Sequence, residues 1–158
     1  MMSQYVNPPL NFSWVVQEKL AAMAWPQTEA NIEYVVESGI KHLVTLSPEK
    51  IPPAKHHPKV KWKLISIQEF QAPTLDQIRQ FIDICEEAER NKEAVGVHCR
   101  QGRGRTGVMA ACYLVGFHGL SPDRAITNLR LARPGSIETY MQEKAVSAYY
   151  DFLQRSEF

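Results

Sequence analysis

The sequence predicts an α/β domain with a central, largely parallel β-sheet that is flanked by helices on both faces. Short β-branched apolar runs alternate along the chain with longer amphipathic segments, which is typical of strands that are each followed by a helix. A glycine-rich turn joins one buried strand directly to one apolar helix, and parallel strands are connected in this way. Because 158 residues suffice for one hydrophobic core, we expect a single domain over residues 1–158.

The first half of the chain carries the signals of four strands and two helices. An irregular arm over residues 1–13 precedes them, and we expect Phe12 and Trp14 to pin it to the domain. Thr28 is a predicted N-cap, and Thr74-x-x-Gln77 has the pattern of a capping box. The predicted strands cover residues 14–16, 20–23, 42–46 and 60–67, and the helices cover 29–37 and the segment behind Thr74, with an apolar stripe of Ile78, Phe81, Ile82 and Cys85.

The second half is predicted to contain one strand and three helices. The apolar run over residues 94–97 is the strand, and the run over 108–115 is a helix that ends at Gly119. Ser121 and Pro122 begin the next helix, which continues to Leu131. Ser136 is the predicted N-cap of a last helix over residues 137–153, whose inward residues would be Tyr140, Ala145, Ala148 and Phe152.

The turn from His98 to Gly107 has the composition of a phosphate-binding loop. Backbone N–H groups at a helix N-terminus carry partial positive charge and bind anions. Cys99 begins the turn and Arg105 closes it, so a thiolate and a guanidinium would face the same phosphate. The helix dipole and the neighbouring arginines favour the thiolate form of such a cysteine. The spacing therefore indicates nucleophilic attack on phosphorus.

Other residues of the turn have predicted roles in the same chemistry. Gly102 and Gly104 allow positive φ and a close approach of the backbone to the phosphate. Thr106 is expected to donate a hydrogen bond to the sulfur. His98 is expected to orient the loop by hydrogen bonding. It is not expected to accept the proton of Cys99, because adjacent residues of a strand point to opposite faces.

Positive charge around the turn is a further feature of the sequence. Arg100 and Arg103 lie within it, and Arg130 and Arg133 are candidates for its rim. Such a mouth would favour substrates with more than one anionic group. The predicted phosphate-binding residues are Arg100, Gln101, Gly102, Arg103, Gly104 and Arg105.

The pattern His98-Cys99-x-x-Gly102-x-x-Arg105-Thr106-Gly107 resembles the signature of the cysteine-dependent protein tyrosine phosphatases. The short chain and the segment 133–138 are similar to the atypical dual-specificity branch of that family. The resemblance implies a metal-independent phosphatase that acts on phosphotyrosine, and on phosphoserine and phosphothreonine as further substrates, through a cysteinyl-phosphate. It implies a phosphorylated protein as the partner, and neither a cofactor nor a metal ion.

The general acid is the position where the chain departs from the family pattern. The family uses an Asp on a loop upstream of the cysteine, and the matching position here holds Glu69. Asp76 lies nearby, and Glu138 belongs to a loop that resembles one bordering the family's active site. Proton transfer depends on where the acid is placed, and the longer side chain of Glu69 changes the position of the carboxyl group. If Glu69 cannot act as the acid, the chain has an alternative function. The chain would then be a phosphate- or phosphopeptide-binding module with weak or no turnover.

Two other loop types are less compatible with this sequence. Gly102-x-Gly104-x-x-Gly107 also fits the dinucleotide fingerprint, but a helix start at Ser121 follows where an acidic residue at a strand end is expected. A Walker A loop would require a G-K-[ST] sequence, which the turn does not contain.

Composition limits the classes of binding partner and the cellular locations that we expect. A net charge of +1 gives no case for a nucleic acid or an acidic membrane. No apolar run reaches the roughly 18 residues that span a bilayer, and the N-terminus does not resemble a signal peptide. Three scattered cysteines, Cys85, Cys99 and Cys112, are typical of a protein in a reducing compartment. We expect Cys85 and Cys112 to be core residues. We expect a monomer in the cytoplasm, with the nucleus as a second location.

Overall fold

The computed structural model describes residues 7–156 and has the predicted α/β architecture. Five strands form one sheet in the order β1-β2-β5-β3-β4, in which only the β1–β2 pair is antiparallel. The strands are β1 (Ser13–Val16), β2 (Leu20–Ala24), β3 (Ile40–Thr45), β4 (Lys61–Leu64) and β5 (Ala94–Cys99). The largely parallel sheet is therefore confirmed.

Helices cover both faces of the sheet. They are α1 (Glu29–Glu37), α2 (Leu75–Arg90), α3 (Gly104–His118), α4 (Pro122–Ala132) and α5 (Tyr140–Arg155). Alternate residues of β2 divide the core, because Ala21 and Met23 pack towards α1 whereas Leu20 and Ala22 pack towards the other helices. Within residues 7–156, no helix has the length and apolar content to cross a membrane.

Strand β5 lies at the centre of the sheet and is buried along its whole length. It lies between β2 and β3 and is parallel to both. Since the carboxyl ends of parallel strands meet at one edge, the segments that follow β2, β3 and β4 gather around Cys99, the last residue of β5. The topology therefore places the candidate nucleophile at the usual ligand-binding edge of an α/β sheet.

Most of the predicted helix boundaries agree with the structure. Thr28, Thr74 and Ser121 are N-caps, and Gly119 ends α3 with a φ of 67°. Helix α3 begins at Gly104 rather than at residue 108, because the glycine-rich turn leads directly into the first helical turn. Phe12 packs edge-to-face on Trp14 and Tyr34, and it pins the arm as expected. The arm is described from Asn7 onward, so residues 1–6 of the prediction lie outside the described part.

The prediction for the last helix was wrong at its start. Thr139 is the N-cap and forms a capping box with Gln142, whereas Ser136 donates a hydrogen bond to the Arg133 carbonyl at 2.7 Å. Ile137 has a φ of 64°, which excludes it from a right-handed helix. The later start changes which residues face the core. Gln142, Val146 and Tyr149 are buried, Ala145 and Phe152 pack partly against the core, and Tyr140 and Ala148 are exposed.

Candidate active site

The phosphate loop, residues 99–105, connects β5 to α3. Its first and last side chains, Cys99 and Arg105, are each 3% exposed. Gly102 has a φ of 74°, as its predicted role requires. A Cβ atom at Gly102 would lie 2.6 Å from the Met23 carbonyl oxygen, so only glycine lets the loop lie this close to the end of β2.

The carbonyl groups of the phosphate loop are held from outside the loop. Apart from Gly107 in α3, the donors come from the N-terminal arm, from the residue after β2 and from the segment between α4 and α5. Arg100 O accepts from Trp25 N at 3.3 Å, Gln101 O from Asn11 Nδ2 at 3.1 Å, Gly102 O from Arg133 Nη2 at 2.7 Å, and Arg103 O from Ile137 N at 3.0 Å and from Gly107 N at 2.9 Å.

The outward direction of these carbonyls determines where the loop amides point. A peptide plane carries its C=O and its N–H on opposite sides, so an outward carbonyl directs the N–H of the next residue inward. The amides of Gln101, Gly102 and Arg103 have no hydrogen-bond acceptor within residues 7–156. Together with the N-terminus of α3, they form a site of positive partial charge that can receive an anion.

Arg105 is fixed by Glu49, a residue that the sequence analysis did not single out. Nη1 and Nη2 of Arg105 donate to the two carboxylate oxygens of Glu49 at 3.0 and 2.8 Å. Nη1 also donates to the carbonyl oxygen of Ile67 at 2.8 Å. The hydrogen bonds from Arg105 lower the pKa of Glu49. Burial alone would lower the pKa of Arg105, but the bonds to Glu49 and the nearby charges of Cys99, Glu49 and Glu69 raise it.

The contacts of Arg105 leave a free edge on its guanidinium. A guanidinium has five N–H donors, and three of them are used by Glu49 and Ile67. The remaining two, on Nε and on Nη2, lie side by side. Such an edge can bind two oxygens of a phosphoryl group. Glu49 therefore orients Arg105 without occupying the donors that a phosphate needs.

A positional signal for Glu49 was present in the sequence. It follows β3 closely, at the carboxyl edge of a strand that neighbours β5. The segment between β3 and β4 is rich in proline and contains several lysines, which is the composition of a polar surface loop and hides this signal. Only the strand order places Glu49 opposite Arg105.

His98 has no exposed surface and belongs to a hydrogen-bond chain across the sheet. Trp62 Nε1 donates to Thr45 Oγ1 at 2.8 Å, so the Thr45 hydroxyl can donate to His98 Nε2 at 2.6 Å. His98 Nδ1 then donates to the Cys99 carbonyl at 3.3 Å, which fixes the neutral Nδ1–H tautomer. Burial lowers the pKa of His98 from 6.5 to about 4. His98 therefore connects Thr45 of β3 to the carbonyl of Cys99, and its role in orienting the loop stays a prediction.

The hydroxyl of Thr106 is buried without a hydrogen-bond partner within residues 7–156. The structure therefore does not contain the predicted bond from Thr106 to the sulfur of Cys99. An unpaired buried hydroxyl has an unfavourable free energy, which a new acceptor in the site would offset.

Glu69 lies in a tight turn at the mouth of the site. Gln71 N donates to the Gln68 carbonyl at 3.0 Å, and Phe70 has a φ of 66° at the third position of this turn. Glu69 Oε2 lies 3.4 Å from Arg100 Nη1 of the phosphate loop. Because Arg105 holds the carbonyl of Ile67 just upstream, the turn is connected to the loop at two points.

The other two carboxylates differ in their relation to the loop. Asp76 is exposed in the first turn of α2, where an acid is favoured by the helix dipole alone. Glu138 lies against the loop, since a Cβ atom on Gly104 would collide with its carboxylate. The Glu138 amide donates to Gln142 Oε1 at 2.7 Å, and Gln142 also binds the Gln71 carbonyl at 3.2 Å.

The structure corrects the roles considered for two arginines. Arg133 is 4% exposed and holds backbone carbonyls, so it adds no charge to the rim. Arg130 donates to the carbonyls of Ser136 and Ile137 and to Glu143, and it stabilises the connection between α4 and α5. Arg100 and Arg103 are exposed, as the sequence predicts for a charged mouth.

The remaining cysteines lie in the core. Burial raises the pKa values of the Cys85 and Cys112 thiols above their ordinary range. Both are therefore unreactive packing residues, as predicted.

Comparison with known proteins identifies the family of the chain. Residues 9–146 match the family model described as PTP-SAK, Swiss Army Knife protein, DSP-PTPase phosphatase domain. The chain belongs to this family.

Curated relatives agree with that assignment. The dual specificity protein phosphatase CDC14A of Homo sapiens is 28% identical over 88% of this chain and 26% of its own length. The tyrosine-protein phosphatase CDC14 of Candida albicans is 31% identical over 67% of this chain and 20% of its own length. The chain thus spans between a fifth and a third of the length of the curated relatives it matches.

The solved structures support the fold. PTPMT1 in complex with PI(5)P superposes with a TM-score of 0.84 at 18% identity, over 93% of this chain and 99% of that one. A single-residue variant of human DUSP28 superposes with a TM-score of 0.81 at 23% identity, over 95% of this chain and 99% of that one.

Proposed function

We propose that the chain is a metal-independent phosphatase domain that hydrolyses phosphotyrosine, and also phosphoserine and phosphothreonine, in proteins. One observation carries the proposal. Cys99 and the two free donors of Arg105 border a loop whose carbonyls from residue 100 to residue 103 accept hydrogen bonds from the surrounding protein. Membership of a phosphatase-domain family and the names of the relatives support it. The family and the relatives give no support to the alternative of a phosphate-binding module without turnover.

The first step transfers the phosphoryl group to the protein. The Cys99 thiolate attacks phosphorus, the P–O ester bond breaks, and the leaving oxygen takes a proton from the Glu69 carboxyl. A cysteinyl-phosphate and an alcohol or phenol result. The loop amides and the free edge of Arg105 stabilise the charge on the non-bridging oxygens in the transition state.

The second step releases phosphate. A water molecule attacks the cysteinyl-phosphate while the Glu69 carboxylate takes its proton, and the S–P bond breaks to regenerate the thiolate. Thr106 has an unused hydroxyl donor, which would stabilise the departing sulfur. Inorganic phosphate is the product.

The position of Glu69 supports its role as the acid. Its turn is connected to Arg105 and Arg100 on the loop. Glu138 also lies against the loop and is the second candidate, whereas the position of Asp76 is explained by the dipole of α2.

The decisive experiment is hydrolysis of a small aryl phosphate in EDTA by the wild type, C99S and E69Q. We expect chelator-resistant turnover that is lost in C99S. E69Q should lower turnover and remove the limb of the pH–rate profile that reports the acid. No turnover by the wild type, with phosphate still bound, would overturn the proposed function. An unchanged profile in E69Q would exclude Glu69 and lead to the same test of E138Q.

Substrate class needs a separate comparison. Phosphotyrosine, phosphoserine and phosphothreonine peptides should be turned over more efficiently than a phosphoinositide in vesicles. A preference for the phosphoinositide would instead indicate a lipid phosphatase.

We further propose that the chain belongs to the same subfamily as VHZ, the small VH1-like phosphatase, because residues 11–15 and 138–146 resemble it. Monomeric state and a cytoplasmic or nuclear location follow from the sequence as predictions. Size-exclusion chromatography and imaging of the tagged protein test them.

A further inference from the structure

Arg133 is a buried cation whose hydrogen-bond partners are all neutral. Nη1 donates to the Asn11 carbonyl at 2.6 Å, to Ser13 Oγ at 2.7 Å and to the Ala22 carbonyl at 3.1 Å. Nη2 donates to the Gly102 carbonyl at 2.7 Å. No acidic side chain within residues 7–156 forms an ion pair with it.

A buried charge without a counter-charge is unfavourable, so its presence calls for an explanation. Burial lowers the pKa of Arg133 to about 10, and a negative charge on Cys99 acts against this lowering. Arg105 also interacts with Cys99, and its own neighbouring charges are Glu49 and Glu69; Arg100 lies at the mouth beside Glu69, and His98 is neutral. Glu49 is already paired with Arg105.

We propose that Arg133 is a positioning residue of the phosphate loop whose counter-charge is the anion held in the site. That anion is the Cys99 thiolate in the free protein and the phosphoryl group in the substrate complex. Arg133 holds the Gly102 carbonyl outward, which directs the next amide inward, and its charge favours an anion from behind the loop. This inference rests on the proposed function, but it can be tested without turnover.

The chain offers a matched control in Arg130, which lies one helical turn earlier on α4. Arg130 also donates to backbone carbonyls, those of Ser136 and Ile137, each at 2.9 Å. It differs in being 41% exposed and in having a carboxylate partner, Glu143, at 3.0 Å. R130M therefore removes an arginine that holds backbone without removing an unpaired buried charge.

The experiment compares R133M, R133K and R130M with the wild type. One measurement is the rate of Cys99 alkylation by neutral iodoacetamide as a function of pH, with the modified residue identified by mass spectrometry. The other is the affinity for inorganic phosphate, measured by calorimetry in the C99S background. Circular dichroism and the unfolding temperature establish that each variant is folded.

We expect R133M to move the midpoint of alkylation upward by about one pH unit and to weaken phosphate binding about tenfold. R133K should keep the midpoint, because it keeps the charge, but should bind phosphate less tightly, because an ammonium cannot hold four acceptors. R130M should lower only the unfolding temperature.

A folded R133M with the midpoint and the phosphate affinity of the wild type would overturn the proposal. If R133M does not fold, R133K tests the proposal instead. R133K keeps the positive charge, so a rise of one pH unit in its alkylation midpoint would contradict a role of the charge. If the wild type has no turnover, the proposed function is wrong. The alkylation midpoint and the phosphate affinity can still be measured and still test the role of Arg133.

Discussion

At the scale of single residues, His98 links the stability of the fold to pH. It is fully buried and neutral, and burial lowers its pKa from 6.5 to about 4. Between these values the unfolded chain binds a proton that the folded protein does not. Stability that is present above pH 6.5 is therefore lost as the pH falls towards 4.

We predict that the free energy of unfolding decreases by about 3 kcal/mol between pH 7 and pH 4 on account of His98 alone. Urea titrations at a series of pH values measure it. H98N cannot titrate in this range, so its stability should be lower at pH 7 and should vary less with pH. Equal pH dependence of both proteins would mean that His98 is protonated in the fold.

Glu49 is the residue whose removal should affect the site most selectively. E49Q keeps the shape of the side chain but removes the charge that orients Arg105. We predict a fall in kcat/KM for an aryl phosphate of about 10- to 100-fold, because the buried guanidinium of Arg105 loses its charged partner. The matched control is E143Q, which breaks the more exposed Arg130–Glu143 pair and should leave kcat/KM unchanged. Similar losses in both variants would indicate a general effect on folding.

At the scale of elements, the sequence predicted the strand–loop–helix unit around Cys99 because strong local signals define it. Glycines, capping residues and apolar periodicity act within a few residues of one another. The start of α5 was missed because Ser136 is also a good cap, and only the left-handed backbone of Ile137 prevents its use. The partners of Arg105 and Arg133 come from distant segments, so no local pattern in the sequence could predict them.

Two glycines with positive φ provide a test of how tightly the phosphate loop packs. G102A places a methyl group against the backbone of Met23, whereas a Cβ at Gly119 meets nothing within 4 Å. We predict a loss of at least about 2 kcal/mol in stability and of most activity for G102A. G119A should lose only about 1 kcal/mol from backbone strain. Thermal unfolding and aryl phosphate hydrolysis distinguish the two, and equal effects would contradict a tightly packed loop.

At the scale of the whole molecule, charge is nearly balanced, with a net value of +1. Any electrostatic attraction for substrate therefore comes from local charge. Arg100 and Arg103 are exposed beside the site, and Glu69 partly neutralises the first of them. Arg103 remains as a charge that a substrate can reach.

We predict that R103Q lowers kcat/KM about three- to tenfold for acidic phosphopeptides and much less for a small aryl phosphate. Added salt should reduce the difference. R90Q serves as the control, since Arg90 ends α2 just before β5 begins and thus lies at the opposite edge of the sheet. An equal loss on both substrates in R103Q would contradict a role in recognition.

The carbonyls of the phosphate loop accept hydrogen bonds from other segments of the chain. The signature sequence alone is therefore not sufficient to form a phosphate-binding site. Donors reach the loop from Asn11, from Trp25, and from Arg133 and Ile137, so they belong to three separate segments. A synthetic peptide with residues 94–118 would contain the whole signature, yet its carbonyls would turn freely and its amides would not converge. Heat should therefore abolish phosphate binding at the temperature where the tertiary structure melts, and grafting the loop onto another scaffold would require these four donors as well.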